Sequence, residues 1–269
     1  MKRSSLLIGL TFFIFFFIGC KVDKTQKVFD DITVSKEHHS FVYLICDQLN
    51  SNSALAEDSV FYKALAGSIS GVNSNKLHGM TLFPETFFDA SLLTSTATSF
   101  KQLFDQGNNS FTEPAIFEGL VNYQDDYTSW KQAIDSVQNA APVCGIGLGK
   151  QEFGSNINIY VKIDFYSNVN DSINVALYLT ENGIIAKQLI SANDTSFTFA
   201  HQHVLRSSLQ IGDFGEGILA SAVAGNEYKT TIPIVFPSNV NKANSEYIAV
   251  VFQMNAGLPF KVLNCASLR

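Results

Sequence analysis

A strict two-residue rhythm runs through the second half of the chain and restricts what that half can become. Ile157, Ile159, Val161, Ile163 and Phe165 share one parity, and Asn158, Tyr160, Lys162 and Asp164 the other. Successive side chains of a strand point to opposite faces, so this is a strand with one core face and one wet face. Val175, Leu177 and Leu179 repeat the pattern after the polar stretch around Ser167 to Asp171. Asn182-Gly183 then reads as a hairpin turn, because both residue types tolerate positive φ. Further strands are expected at Ser196–Leu209, Ile218–Ala224, Tyr228–Phe236, Tyr247–Met254 and Phe260–Ala266. Short strands of alternating polarity at this density predict an antiparallel β-sandwich over residues 141–269.

The stretch 41–140 keeps a different rhythm. Phe41 to Cys46 is continuously apolar, as in a strand buried on both faces. Ala54 to Ala66, Thr94 to Gln106 and Ser129 to Val137 carry apolar residues at helical spacing, while Leu77 to Phe83 and Phe111 to Phe117 read as strands. Strands alternating with helices predict an α/β layer. The chain as a whole is therefore expected to be α+β in two domains, with the boundary near Asn139–Pro142.

The amino terminus carries an address. Lys2 and Arg3 precede an apolar run from Leu6 to Ile18, thirteen residues interrupted only by Gly9 and Thr11. A membrane span needs about 20 residues, so the run matches a secretory signal over residues 1–19. It ends in Phe17-Ile18-Gly19-Cys20, which resembles the bacterial lipobox, so Cys20 is the expected acylation site and first residue of the mature protein. Residues 20–40 are polar and mixed in charge and are expected to form a tether, with His38-His39 in solvent. The implied partner is membrane lipid, and the implied place is the cell envelope, with inner or outer membrane left open by this segment.

Composition excludes other classes. With 46% hydrophobic and 16% charged residues among 269, the chain has material for a packed core. Its formal charge of −6 becomes −8 once Lys2 and Arg3 are removed, so no basic surface exists to displace counterions from a nucleic acid. The anchor is therefore lipid and not a polybasic patch. Beyond Cys20 the cysteines are Cys46, Cys144 and Cys265, all in apolar strand-like contexts. Buried free thiols acting as small hydrophobes are the simplest reading. The one pairing an oxidising envelope would allow is Cys144–Cys265, joining the first and last strands of the sandwich.

Other candidate residues carry little chemistry. His201 and His203, two apart on a strand, would share a face, but no neighbouring acid or thiol completes a metal set, so a structural role is expected and no metal or other cofactor. Arg206 is expected to pair with a carboxylate. Gly145, Gly147 and Gly149 imitate a phosphate loop without its helix and lysine. Asp58-Ser59-Val60, Asp135-Ser136-Val137 and Asp171-Ser172-Ile173 resemble a short O-glycosylation motif. No serine–histidine–aspartate order or nucleophile elbow is present.

Several strings in the second half look like one family. Leu179-Thr180-Glu181-Asn182-Gly183-Ile184 with Gln188, then His201-Gln202-His203-Val204-Leu205-Arg206, are followed by Gly212 to Ile218, Ile232-Pro233, Tyr247 to Phe252 and Val262-Leu263-Asn264. In that order and spacing they resemble the outer membrane protein 28 family of Bacteroidetes lipoproteins. The resemblance implies a thioredoxin-like domain over residues 41–140 followed by a β-sandwich, and makes Pro114 the expected cis-proline. Many relatives place two cysteines just after the first strand. Here that stretch is Asp47-Gln48-Leu49-Asn50-Ser51-Asn52-Ser53, so dithiol redox chemistry is not expected. The function expected on this reading is a non-enzymatic envelope lipoprotein that binds a protein or glycan ligand. The alternatives are a subunit of an outer-membrane assembly and a thiol-redox protein acting through Cys46 alone.

Overall fold

The computed structural model describes residues 24–45, 63, 65–67, 72–84, 90–105, 115–117, 127–188 and 197–269. Cys20, Cys46, Asp58 and Pro114, and most of the helix expected over 54–66, lie outside the described residues.

Ile157, Ile159, Val161 and Ile163 do form the core face of a strand, β5 (Asn156–Phe165), which runs between β4 (Cys144–Phe153) and β11 (Glu227–Val235) in a three-stranded antiparallel sheet. This small sheet packs on a larger one. In order across the larger sheet lie β13 (Leu258–Leu268), β12 (Ser245–Asn255), β6 (Ile173–Glu181), β9 (Val204–Ser208), β2 (Leu77–Leu82), β1 (Ser40–Ile45) and β3 (Ala115–Phe117). A short strand, β10 (Glu216–Leu219), pairs with the start of β6. β7 (Ile184–Gln188) and β8 (Phe197–His201) form a separate hairpin. Among the described residues the helices are α1 (Lys24–Asp30), α2 (Ser95–Asp105) and α3 (Tyr127–Asn139).

The β6 and β12 strands show why the molecule is layered. Ile173, Val175, Leu177 and Leu179 point toward the small sheet, while Ala176 and Tyr178 point the other way, toward Phe41, Tyr43 and Phe100. On β12, Tyr247, Ala249 and Val251 face one core and Ile248, Val250 and Phe252 the other. A strand apolar on both parities must be covered on both faces. The small sheet covers one side and α2, through Ala97 and Phe100, covers part of the other. Thr94 caps α2 by accepting from the Ala97 amide at 3.2 Å, satisfying one of the free amides of the first turn.

The two expected halves thus share a sheet. The amide of Thr81 on β2 donates to the His203 carbonyl at 2.7 Å, and Thr81 stands in parallel register with Val204 on β9. One core cluster runs from Phe41 and Met80 to Val250 and Cys265, so the boundary near Asn139–Pro142 marks a change of rhythm in the chain but not a break in the core.

Several expectations are corrected. The stretch 20–40 is not a polar tether throughout: α1 turns Phe29 inward onto the Tyr160 ring (5.4 Å, edge-on), and Ile32 is buried beside it. The following residues run as a strap over Gly145, Gly147 and Gly149, whose missing side chains make the groove: a Cβ on Gly145 would lie 2.1 Å from the Ser35 carbonyl oxygen. The glycine triplet is a packing device. Asn182-Gly183 is not a hairpin turn, because β6 pairs with β12, β9 and β10, and β7 with β8; Gly183 (φ +74°) lets the chain leave the large sheet. Ser196–Leu209 is not one strand; it breaks at His203, whose φ of 51° lies in the left-handed region. Ile218–Ala224 shrinks to β10, with Ala222 making one bridge to Val169.

Cys144 and Cys265 are free and buried. They belong to different cores: Cys144 points between the sheets, whereas Cys265 points into the cluster with Phe41 and Val262, its Sγ 3.5 Å from the His39 carbonyl. Opposite faces of a sheet cannot be bridged by one disulfide. Burial pushes the Cys144 thiol far above its ordinary pKa, so it is an inert hydrophobe.

Candidate functional site

The parallel register of β1 and β2 sets Phe41 opposite His78, which brings His39, two residues upstream, beside the His78 ring. The rings stack at 5.1 Å and 12°, with His39 Nδ1 2.8 Å from His78 Nε2, one imidazole donating to the other. The accepting ring must be neutral at that nitrogen, and burial lowers the pKa of both rings, which favours the neutral pair. His38 and His39 are not in solvent as expected: His38 is buried, and the His39 amide donates to Asn264 Oδ1 at 2.9 Å.

The break at His203 supplies the next part of the site. Its amide donates to Asn182 Oδ1 at 2.7 Å, which holds the left-handed turn, and its Nδ1 sits 3.6 Å from Glu246 Oε2. Arg269 Nη2 reaches the same oxygen at 3.4 Å. These groups line a cleft of about 350 Å³ whose walls include Asn75, His78, His203, Glu246, Ser267 and Arg269. The cleft lies where the β1–β2 layer meets the ends of β12 and β13.

Its electrostatics are set by burial. Glu246 is pulled upward by desolvation, but the His203 ring at 3.6 Å, the Ser267 hydroxyl and the Arg269 charge outweigh this and hold its carboxyl at about 2. Desolvation, with His39 as the next contribution, lowers His78 to about 4. The signs define a pH response. A histidine depressed in the folded state stabilises fully above its unfolded pKa near 6.5, and that contribution declines as pH falls toward 4, because the unfolded chain takes the proton first. Glu246 acts in a lower window: its contribution is complete above the unfolded value of 4.5 and is lost as pH falls toward 2. Urea unfolding between pH 7 and pH 4.5 is expected to lose about 2 kcal/mol of stability from His78, and His78→Gln to flatten that slope. An unchanged slope in the variant would mean that His78 titrates alike in the folded and unfolded chain.

The sequence-derived candidates fall elsewhere. His201 is buried with its ring edge-on to Phe83 (5.2 Å, 89°), and only His203 reaches the cleft, because the broken strand sends the two to different places. Arg206 meets Glu181, Nε to Oε2 at 3.2 Å, and its Nη1 donates to the Ser91 carbonyl at 2.8 Å. Glu181 Oε1 accepts in turn from the Asn241 amide at 2.9 Å, so Arg206 clasps three segments. Sequence reasoning missed His39, His78, Glu246, Ser267 and Arg269. They are scattered along the chain and meet only through sheet register. Among the described residues no group of three or more His, Cys, Asp or Glu side chains is placed to hold a metal ion. The cleft offers imidazole, guanidinium, hydroxyl and amide donors around one committed carboxylate. That is a set for holding a small polar or anionic group.

A large sheet packed on a small one, with α2 on the face away from the small sheet and α3 on the opposite face, defines a mostly β protein of the α+β class. The sequence model for "Outer membrane protein Omp28" matches residues 118–267, more than half of the chain, and the chain belongs to that family. Membership carries the address: a lipid-anchored protein of the cell envelope, at the outer membrane. HBP35 of Porphyromonas gingivalis is similar in structure at a TM-score of 0.66 and 9% identity, over 88% of this chain and 76% of that one, which is a likeness of fold. A domain of the outer membrane lipoprotein Omp28 from the same organism aligns at a TM-score of 0.32 and 19% identity, over 48% of this chain and 88% of that one. No curated protein matches the sequence.

Proposed function

We propose that this chain is a non-enzymatic binding lipoprotein held on the membrane by acylated Cys20, with a thioredoxin-like first half that has lost its dithiol. One observation carries the reading: the cleft between the β1–β2 layer and the sandwich strands presents donors around a committed Glu246, and no cysteine, among its lining residues. Parallel β1 and β2, antiparallel β3 and the helices α2 and α3 support a thioredoxin-like layer, and Asp47 to Ser53 contains no cysteine. The ligand class that fits the cleft is a polar or acidic group of a protein or glycan. The Arg206–Glu181 clasp and the buried His201 serve the fold.

Two measurements test this. Labelled palmitate is expected to enter the wild type and not Cys20→Ala, and the variant is expected to leave the membrane fraction. Labelling that persists in Cys20→Ala would remove the anchor from the reading. Insulin with dithiothreitol is expected to show no turnover, and thioredoxin-like reduction would end the non-redox claim.

A further inference from the structure

The outer face of the three-stranded sheet is only partly covered. On β4 its residues are Gly145, Gly147, Gly149, Gln151 and Phe153, and the strap and α1 lie over the glycine end and over Tyr160. Among the described residues nothing covers the far end of the same face. Phe153 is 55% exposed and Val235 74% exposed, and both stand in register with Asn156, one on each flanking strand. They therefore share a face and lie about 10 Å apart, two strand spacings. Ile232 and Ile234, of the opposite parity, point into the core, so the exposure of Val235 is not the fraying of a strand end. Among the described residues the other exposed large apolar side chains, Ile185, Ile211 and Val223, lie outside this sheet.

The chain length ahead of α1 says what covers this face. Cys20 is four residues from Lys24, so the covalent reach is at most about 14 Å. Lys24 is in turn about 7.5 Å along the helix from Phe29, which is fixed on Tyr160. From Gly149, beside Tyr160, to Phe153 is another four strand residues, about 13 Å. An acyl group on Cys20 thus enters the bilayer close to this sheet face, and the bare apolar pair is within reach of the same surface. We infer that the outer face of the β4–β5–β11 sheet is the membrane-facing side of the protein, with Phe153 and Val235 dipping into the lipid interface. The inference rests on the Cys20 anchor proposed above. It places the cleft at the β12–β13 layer away from the anchor face, on the other side of the small sheet.

Brominated-lipid quenching reads the orientation directly. Acylated protein carrying Trp130→Phe is reconstituted on vesicles of phosphatidylethanolamine and phosphatidylglycerol with brominated acyl chains, with either Phe153→Trp or Val223→Trp. Val223 is a suitable control: it is 58% exposed and lies in the turn before β11, about 30 Å along β5 from the Asn156 end. The expected result is about twofold quenching at position 153, as for a side chain seated at the headgroup–acyl boundary, and none at 223. Co-flotation with the vesicles is scored separately. Protein that does not float overturns the anchor, and the orientation with it. Protein that floats with position 153 unquenched, or with position 223 quenched as strongly, overturns the orientation alone and leaves the anchor standing.

Discussion

Asn264→Leu is expected to lower the unfolding free energy by about 4 kcal/mol. The Asn264 side chain is buried and uses both of its ends twice. Its Nδ2 donates to the Glu37 carbonyl at 2.9 Å and the Cys144 carbonyl at 2.7 Å. Its Oδ1 accepts from the His39 and Cys265 amides, each at 2.9 Å. Three segments meet there: the strap leading into β1, the start of β4, and β13. Leucine fills the volume but strands four backbone groups, and each such buried group costs about 1–3 kcal/mol, partly recovered by relaxation and water. Asn264→Asp is the sharper probe. It keeps both acceptors, but sets an oxygen against two carbonyls, so its deficit is large at neutral pH. A buried carboxyl is raised above its unfolded pKa, so the deficit relative to wild type narrows as pH falls toward 4 and the proton restores one donor. Chemical denaturation of the three proteins at pH 7 and pH 4.5 decides it; a loss below 1 kcal/mol for the leucine variant would show that the junction is wet.

Gly147→Val is expected to expel the strap, at a cost of about 3 kcal/mol. The backbone at Gly147 needs no special φ, and valine suits a strand, so local propensity predicts a neutral or favourable change. The strap decides otherwise. A Cβ there would stand 2.5 Å from Ile32 Cγ2 and 2.6 Å from the Thr33 carbonyl oxygen, and neither can retreat without lifting the segment. Lifting it exposes Phe29 and Ile32, each worth about 1.5–3 kcal/mol when buried. Two readouts are expected together: a lower melting temperature, and early tryptic cleavage at Lys27 and Lys36, which the intact strap delays. Unchanged cleavage in a destabilised variant would move the clash into the core and away from the strap. Ile32→Ala, which removes the same contact from the other side, is expected to give the same proteolytic pattern.

The strap also shows where the reading of residues reached its limit. Residues 20–40 are polar and mixed in charge, and the apolar residues Val28, Phe29 and Ile32 have no local period strong enough to mark a packed element. What buries them is a groove made 110 residues later by the absence of three side chains. In the same way Gly145, Gly147 and Gly149 carry a motif-like spacing, and only their neighbours show that the spacing is steric. The pair His201 and His203 was legible as a pair but not as two destinations, because a left-handed residue inside a strand-like string leaves no compositional mark. The cleft was hidden for a third reason. Its lining residues His78, His203, Glu246 and Arg269 come from four places in the chain, with His39 against the His78 ring, and sheet register brings them together.

Local periodicity determined the parts: the core faces of β5 and β6, the strand at β12, and the helices α2 and α3. It could do so because a side chain's face follows from its own position in a strand or helix. Tertiary structure alone decided the assembly: that β2 and β9 join two apparent domains into one sheet, that Cys144 and Cys265 lie in separate cores, and that a polar-looking leader closes over a glycine groove. Those outcomes depend on contacts between residues far apart in the chain, whose energies are set by which surfaces are left uncovered once the strands have formed.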